Sequence, residues 1–335
     1  MMWPRGRILR GDAAEQLRRL PTASIDAVVT SPPYYALRNY QTDGQLGAEA
    51  NIDLWVNNLR HVMQEIDRLL KPTGGLWLNL GDSYSRGDHY GAPSKSLLLG
   101  PERLLLALLD GGWVVRNKIV WAKTNPMPAS VGDRLTCTWE PLYFLVRSRE
   151  YYFDLDAIRE PIYSTRRTTS RRDRVTSIPS WAGPLAGTNS GLDGLHANGR
   201  SGHILGKNPG DVWRLATSSS RSGHHATFPP GLIRRPVLAG VPERVCRRCG
   251  APWRRNKHHQ LGHLAVMGSL RADCRCRANW QPGVVLDPFM GSGTTAIVAE
   301  ALRRDWVGIE LNPAFVRIAE ERIAAARGRP EASAA

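Results

Sequence analysis

Short apolar runs alternate with amphipathic segments along most of the chain, and this alternation constrains the fold more than any other feature. Runs such as Ile25–Thr30 and Val284–Leu286 end at turn residues, which is typical of buried strands. The order predicts an α/β fold with a doubly wound, mostly parallel sheet. The predicted strands are Arg7–Arg10, Ile25–Thr30, Leu76–Leu80, Lys118–Trp121, Leu142–Val146, Val284–Leu286 and Trp306–Ile309. The predicted helices are Ala13–Leu20, Leu54–Leu70, Pro101–Leu109, Thr294–Leu302 and Pro313–Arg327.

Positive charge is concentrated in the middle of the 335-residue chain. Residues 161–280 hold 20 Lys and Arg against 5 Asp and Glu, so this segment carries the whole net charge of +15. Such a concentration favours a polyanion such as DNA, because neutralised phosphates release their counterions. A solvated basic surface is the alternative, and it explains scattered arginines better than one segment with the entire excess. From Pro161 to His225 apolar periodicity is lost, which predicts a loop-rich or partly disordered stretch.

Neither a membrane span nor an export signal is expected. No apolar run approaches the roughly 20 residues that a span requires. The first residues also lack the apolar centre of a signal peptide. We therefore expect a cytoplasmic location, in association with the nucleoid.

Four of the five cysteines form two close pairs, Cys246-x-x-Cys249 and Cys274-x-Cys276. Two such pairs suit tetrahedral zinc, although the intervening segment is long and the C-x-C half is less typical. His258, His259 or His263 could replace one cysteine, and free reduced thiols are the alternative to a metal site. The fifth, Cys137, has no partner in the sequence and is predicted to lie in the core.

A strand, a glycine-containing turn and a helix start follow one another from Val284 to Thr295. Glycines there let backbone approach a ligand closely, and a helix N-terminus attracts negative charge. The next strand ends at Glu310, where a carboxylate can bind a ribose diol, as in many nucleotide-binding α/β proteins. A phosphate-binding loop is disfavoured, because no Gly-Lys-Ser/Thr is present.

A second motif, Thr30-Ser31-Pro32-Pro33-Tyr34-Tyr35, directly follows a predicted strand. Successive prolines have fixed φ and no N–H, so their carbonyls are rigid acceptors. With the Ser31 hydroxyl, a proline carbonyl could hold the N–H bonds of an exocyclic amine, and Tyr34 could stack on a flipped base. A Pro-Pro turn alone is commonly structural, and the cofactor-type motif is what gives it functional weight.

The two motifs together resemble the beta class of DNA amino-methyltransferases, which modify cytosine N4 or adenine N6. That class places its S/D/N-P-P-Y motif first and its FxGxG motif last, and this sequence has the same order. The resemblance covers residues 7–160 and 224–325, and it includes His225–Pro229. It implies a circularly permuted, Rossmann-like methyltransferase sheet, S-adenosylmethionine as cofactor and double-stranded DNA as partner.

The resemblance also implies site residues and a direct in-line methyl transfer. The expected catalytic residues are Ser31, Pro32, Pro33 and Tyr34, and the expected cofactor residues are Asp12, Phe228, Asp287, Phe289, Gly291, Gly293, Thr295 and Glu310. A serine in the first catalytic position favours cytosine N4, with adenine N6 as the alternative. A catalytically idle zinc-containing DNA-binding protein is a further alternative. The motif order disfavours an RNA or protein methyltransferase.

Contacts to DNA are expected in the basic segment. The densest cluster is Arg166, Arg167, Arg171, Arg172 and Arg174, which we assign to phosphates first, because most protein–DNA hydrogen bonds go to the backbone. Trp181 or Trp213 could stack at a flipped base, although core packing is the simpler interpretation. A cognate restriction endonuclease is a conceivable partner, and both a monomer and a homodimer remain open.

These interpretations divide the chain into six segments. The expected order is a catalytic half (1–160), a basic target-recognition region (161–223), a cofactor-side segment (224–240), a cysteine-rich insert (241–282), a cofactor-binding half (283–328) and a disordered tail (329–335).

Overall fold

A computed structural model describes most of the chain. The described residues are 6–39, 42–161, 206–218, 228–260 and 263–328, without the side chains of 256–268. They fall into a larger unit (Met1–Asp154, Gly210–Arg254 and Arg271–Ala335) and a smaller one (Leu155–Pro209 and Arg255–Leu270). None of the described helices is both long and apolar enough to cross a membrane.

Regular elements occupy much of the described chain. The strands are β1 (Arg7–Arg10), β2 (Ile25–Thr30), β3 (Leu70–Asn79), β4 (Val114–Lys123), β5 (Trp139–Val146), β6 (Val212–Leu215), β7 (Val245–Cys246), β8 (Trp253–Gln260), β9 (His263–Ala272), β10 (Trp280–Gln281), β11 (Val284–Asp287) and β12 (Asp305–Glu310). The helices are α1 (Ala13–Arg18), α2 (Ile52–Leu69), α3 (Gly100–Asp110), α4 (Pro230–Gly240), α5 (Thr294–Ala301) and α6 (Pro313–Arg327).

Eight strands form the main sheet, in the order β1-β12-β11-β2-β3-β5-β4-β6. All neighbouring pairs are parallel except those of β5, which runs antiparallel to both β3 and β4. The strands that follow β11 lie on one side of it, and those that follow β2 lie on the other. The predicted doubly wound, mostly parallel sheet is therefore confirmed, with its switch point between β2 and β11.

Several elements differ from the sequence-based expectations: the four strands β7 to β10 were not predicted, and neither were β6 and α4. β6 lies within the stretch predicted to be loop-rich, and its four residues pair with β4 at the edge of the sheet. A strand this short shows too little periodicity to be recognised from sequence alone. Helix α4 was not predicted either, because Pro230 and Pro236 interrupt its pattern. Pro230 occupies the first turn, where a missing N–H is tolerated.

Helix α2 supplies a large part of the core that supports the sheet. Its buried side chains recur every three or four residues, among them Ile52, Trp55, Leu59 and Ile66. The Asn51 side chain accepts a hydrogen bond from the Leu54 amide at 2.9 Å, which satisfies one of the free N–H groups at the helix start. The helix therefore begins at a fixed point next to the turn that follows β2.

A buried carboxylate joins the two central strands at their amino ends. Asp26 is only 2% exposed. One of its oxygens accepts from Lys71 Nζ at 2.7 Å, and the other accepts from the Val284 amide at 2.8 Å. The first residue of β11 is thereby held against β2, and the buried charge of Asp26 is compensated by Lys71.

We expect Asp26→Ala to lower the free energy of unfolding by about 3–5 kcal/mol, because it leaves the Lys71 ammonium and the Val284 amide without their partner. Urea denaturation followed by circular dichroism measures this. The matched control is Asp133→Ala, which breaks an exposed pair with Lys95 and should change stability by less than about 1 kcal/mol. Equal losses in the two variants would contradict the role of Asp26.

Candidate active site

A cleft opens at the carboxyl edge of the sheet, above the switch point. Parallel strands present their carboxyl ends at one edge, so the residues after β1, β2, β11 and β12 converge there. The lining includes Asp12, Ser31, Phe289, Gly291, Glu310 and Asn312. With its open mouth included, the cleft encloses about 710 Å³.

Glu310, the last residue of β12, is held rigidly by backbone amides. Gly291 N–H donates to Oε2 and Asn312 N–H donates to Oε1, both at 2.8 Å. The side chain is largely buried, and this burial raises the pKa of Glu310. A fixed carboxylate at the wall of the cleft can accept hydrogen bonds from a pair of hydroxyl groups on a ligand.

The glycine turn after β11 brings backbone close to the cleft. Gly291 lines the cleft, whereas Gly293 lies behind it with φ of +81°. A Cβ on Gly293 would stand 3.1 Å from the Cβ of Ala319 in α6. Gly293 is therefore required both by its backbone conformation and by the close approach of α6.

Asp287 lies beneath the cleft. Its carboxylate accepts from Thr30 Oγ1 at 2.7 Å, from Thr295 Oγ1 at 2.6 Å and from the Phe289 amide at 3.1 Å. Burial raises the pKa of Asp287 to about 6. These bonds tie the end of β2 to the end of β11 and to the start of α5.

The predicted cofactor residues therefore take different positions. Asp12, Phe289, Gly291 and Glu310 line the cleft, and Asp287, Gly293 and Thr295 support it from below. Asp12 also caps α1 by accepting from the Glu15 amide at 3.0 Å. Phe228 is half-buried and is not among the described lining residues.

The predicted catalytic residues meet at the end of β2. Ser31 lines the cleft, and its hydroxyl donates to the Tyr34 hydroxyl at 3.3 Å. The Tyr34 ring lies against the backbone of Gly81, where a Cβ would be 2.4 Å from a ring carbon. Trp55 Nε1 donates to the Pro33 carbonyl at 3.0 Å, so a core side chain fixes the Pro-Pro turn.

Three residues behind Tyr34 were not predicted. The Tyr34 hydroxyl donates to Glu140 Oε2 at 2.7 Å and lies 3.2 Å from Asn79 Oδ1. Lys123 Nζ donates to the other Glu140 oxygen at 2.5 Å. Asn79 could have been predicted from the sequence, because it is a polar residue at the end of a buried strand, like Glu310. Glu140 and Lys123 could not, because only the pairing of β4 with β5 brings them close to Tyr34.

The structure brings together the four paired cysteines, whose Sγ atoms all lie within 4.8 Å of one another. Cys137 is exposed, so its predicted core position is wrong. It lies between β4 and β5 in a segment without regular structure, where no apolar face covers it. Trp213 is buried and packs in the core.

Other predicted residues lie outside the part of the chain that is described. These are the Arg166, Arg167, Arg171, Arg172 and Arg174 cluster and Trp181, and the side chains of His258, His259 and His263.

Residues 25–321 match the DNA methylase family of the N6/N4 type. The chain belongs to this family. M.Cfr9I of Citrobacter freundii, a Type II methyltransferase, is 33% identical to this DNA methylase over 94% of the chain and 87% of its own length. M.SmaI of Serratia marcescens, also a Type II methyltransferase, is 32% identical over 95% of the chain and 90% of its own length. The inferred resemblance to the amino-methyltransferases is confirmed.

Solved structures have the same fold as this DNA methylase. The cytosine-N4-specific PvuII DNA methyltransferase matches with a TM-score of 0.58 and 18% identity, over 99% of this chain and 89% of that chain. TTHA0409 of Thermus thermophilus, solved in complex with S-adenosyl-L-methionine, matches with a TM-score of 0.52 and 23% identity, over 96% of both chains. At these identities the likeness establishes the Rossmann-like methyltransferase fold.

The raised pKa of Asp287 predicts a pH dependence of stability. Asp287 is protonated in both the folded and unfolded chain at low pH, and as pH rises through about 6 the folded chain must ionise it in the core. Its contribution to stability is therefore lost as pH rises. Asp287→Asn does not titrate, so the advantage of the wild type over this variant should fall by about 2 kcal/mol between pH 4.5 and 7.5. Urea denaturation of both proteins across this range measures the difference, and a constant difference would contradict the assignment.

Proposed function

We propose that this DNA methylase uses S-adenosylmethionine to methylate the exocyclic amine of a base in double-stranded DNA, with cytosine N4 as its target. One observation carries the proposal: Ser31 lines the cleft and also begins a chain of hydrogen bonds through Tyr34 to Glu140. An amine held at Ser31 would therefore lie at the boundary between the ligand cleft and a set of fixed polar groups.

The residues that line the cleft fit S-adenosylmethionine. Glu310 would accept from the ribose hydroxyls, Asp12 from a polar group of the ligand, and Phe289 would contact the adenine. Gly291 would let the backbone approach the ligand closely. The cofactor supplies an electrophilic methyl group when it is bound. The complex of TTHA0409 with S-adenosyl-L-methionine, on the same fold, supports this assignment.

The direction of the hydrogen bonds defines what Ser31 can do. Tyr34 has one hydroxyl proton, and this O–H donates a hydrogen bond to the nearby Glu140 carboxylate at 2.7 Å. The Tyr34 oxygen therefore accepts the hydrogen bond that the Ser31 hydroxyl donates. This leaves the Ser31 lone pairs to accept an N–H from the target amine. The Pro32 carbonyl would accept the second N–H, so that the amine lone pair faces the methyl donor.

Glu140 and Lys123 are positioning residues in this mechanism. The Lys123 ammonium balances the Glu140 charge at 2.5 Å. The Glu140 carboxylate then fixes the orientation of the Tyr34 hydroxyl, which in turn fixes that of Ser31. The Tyr34 ring, supported by Gly81, would stack on the flipped base.

The charge distribution supports DNA as the partner. The whole net charge of +15 comes from residues 161–280, which include the target-recognition region proposed for 161–223. Arg166, Arg167, Arg171, Arg172 and Arg174 are its proposed phosphate contacts. The Type II relatives are consistent with a companion restriction endonuclease.

The choice of cytosine N4 over adenine N6 rests on Ser31. The resemblance associates serine at this position with cytosine, and Asp or Asn with adenine. The complete Ser31–Tyr34 motif, its intact hydrogen bonds and the cleft beside it argue against a catalytically idle DNA-binding protein.

Mass spectrometry of nucleosides tests the reaction and the base together. DNA of varied sequence is incubated with the protein and S-adenosylmethionine, and we expect N4-methylcytosine. N6-methyladenine would overturn the assignment of Ser31 and preserve the rest of the proposal. S-adenosylmethionine binding without a methylated nucleoside on any DNA would favour the idle DNA-binding protein. Glu310→Ala, which removes the proposed ribose acceptor, serves as the inactive control.

Tyr34→Phe tests the chain of hydrogen bonds separately from stacking. The variant keeps the ring and loses the hydroxyl that orients Ser31, so we expect turnover to fall by about 10²-fold. The affinity for S-adenosylmethionine should not change, because Tyr34 does not line the cleft. Tyr151→Phe, which removes an exposed hydroxyl bonded to Arg116, is the matched control and should remain active. Wild-type turnover in Tyr34→Phe would refute the role of its hydroxyl.

A further inference from the structure

We propose that Cys246, Cys249, Cys274 and Cys276 bind one structural zinc ion in tetrahedral geometry. Their four Sγ atoms lie within 4.8 Å of one another. Zinc–sulfur bonds of about 2.3 Å place the sulfurs of a tetrahedral site about 3.8 Å apart. An inward movement of the sulfurs by about 1 Å or less would therefore complete the site.

The first pair of cysteines lies on a tight turn that brings the two side chains close together. Strand β7 pairs antiparallel with β10, with Cys246 opposite Trp280. Gly250, with φ of +73°, reverses the chain after Cys249, and its amide donates to the Cys246 carbonyl at 2.9 Å. This turn directs the two sulfurs to the same side.

The second pair follows β9 and precedes β10. The two pairs are therefore separated by the β8–β9 hairpin, and the 24 residues between Cys249 and Cys274 contain the whole of it. An isolated two-stranded hairpin is marginally stable. A metal bound at its base would close the loop and fix the first and last residues of the hairpin.

Charged side chains lie next to the aromatic residues that flank the cysteines. The Arg244 guanidinium lies 4.4 Å from the Trp280 ring centre and 5.6 Å from that of Trp253. Arg254 forms an exposed ion pair with Asp273 at 3.0 Å.

The sequence around the cysteines supplies compensating charge. Zinc with four thiolates carries a net charge of −2, which must be balanced by solvent or by cations. Arginines directly adjoin the ligands, at Arg247, Arg248, Arg275 and Arg277.

The proposed role is structural. None of the four cysteines is among the described residues that line the cleft, and the proposed methyl transfer requires no metal. The site would keep the base of the β8–β9 hairpin joined to β7 and β10. The zinc proposal is therefore independent of the identity of the methylated base.

Metal analysis of the purified full chain tests the proposal. Inductively coupled plasma mass spectrometry should find one zinc per chain in the wild type. We expect Cys249→Ser and Cys274→Ser to retain less than a tenth of that zinc. The matched control is Cys137→Ser, which changes the exposed cysteine outside the cluster and should retain all of it.

A second measurement uses only the wild type, so it does not depend on the folding of the variants. After removal of metal under reducing conditions, Co²⁺ is added, and tetrahedral thiolate coordination should give its characteristic visible and charge-transfer absorption. One equivalent of zinc should abolish that absorption. Absence of this spectrum, disulfides between the four cysteines in freshly purified protein, or undiminished zinc in Cys249→Ser would each overturn the proposal.

Discussion

The bond between Thr30 and Asp287 is the interaction on which the rest of the site depends. These residues lie 257 positions apart in the sequence and 2.7 Å apart in the structure. Asp26 makes the corresponding connection at the other end of β2, through the Val284 amide. The β2–β11 pair is thus held at both ends by buried carboxylates, each of which accepts hydrogen bonds on both sides of the pair. Ser31 directly follows the last residue of β2, so the pairing of β2 with β11 sets the position of Ser31 at the cleft.

The two buried carboxylates are stabilised by different kinds of partner. Asp26 has a cationic partner in Lys71, whereas Asp287 is held by two hydroxyls and one amide. Burial outweighs these neutral donors and raises the pKa of Asp287. A carboxyl with a pKa of about 6 is mostly ionised at neutral pH, so a negative charge lies beneath the cleft, close to where a cationic methyl donor is proposed to bind. The side chains of Asp12 and Glu310 line the cleft itself.

Local sequence was sufficient to predict the central strands and most helices, because the buried strands are largely apolar and α2 has a regular apolar face. Positions at strand ends pointed to Ser31 and Glu310 as candidate site residues, and the family resemblance pointed to Asp12; all three line the cleft. Glu140 and Lys123 could not be found in this way, since only the register of β4 against β5 brings them to Tyr34. The four cysteines were predictable from their spacing, whereas the exposed position of Cys137 was not.

The chain of hydrogen bonds from Ser31 to Lys123 is held in place by contacts within the protein. Its members are already oriented by the packing of Tyr34 on Gly81 and by the bond from Trp55 to Pro33. The conformational entropy of ordering these groups is therefore lost once, when the chain folds, and not again each time a base enters. The binding free energy of a base that fits would then not be reduced by the cost of ordering these side chains. A base of the wrong shape meets a surface that cannot adapt, so preorganisation would serve selectivity as well as speed.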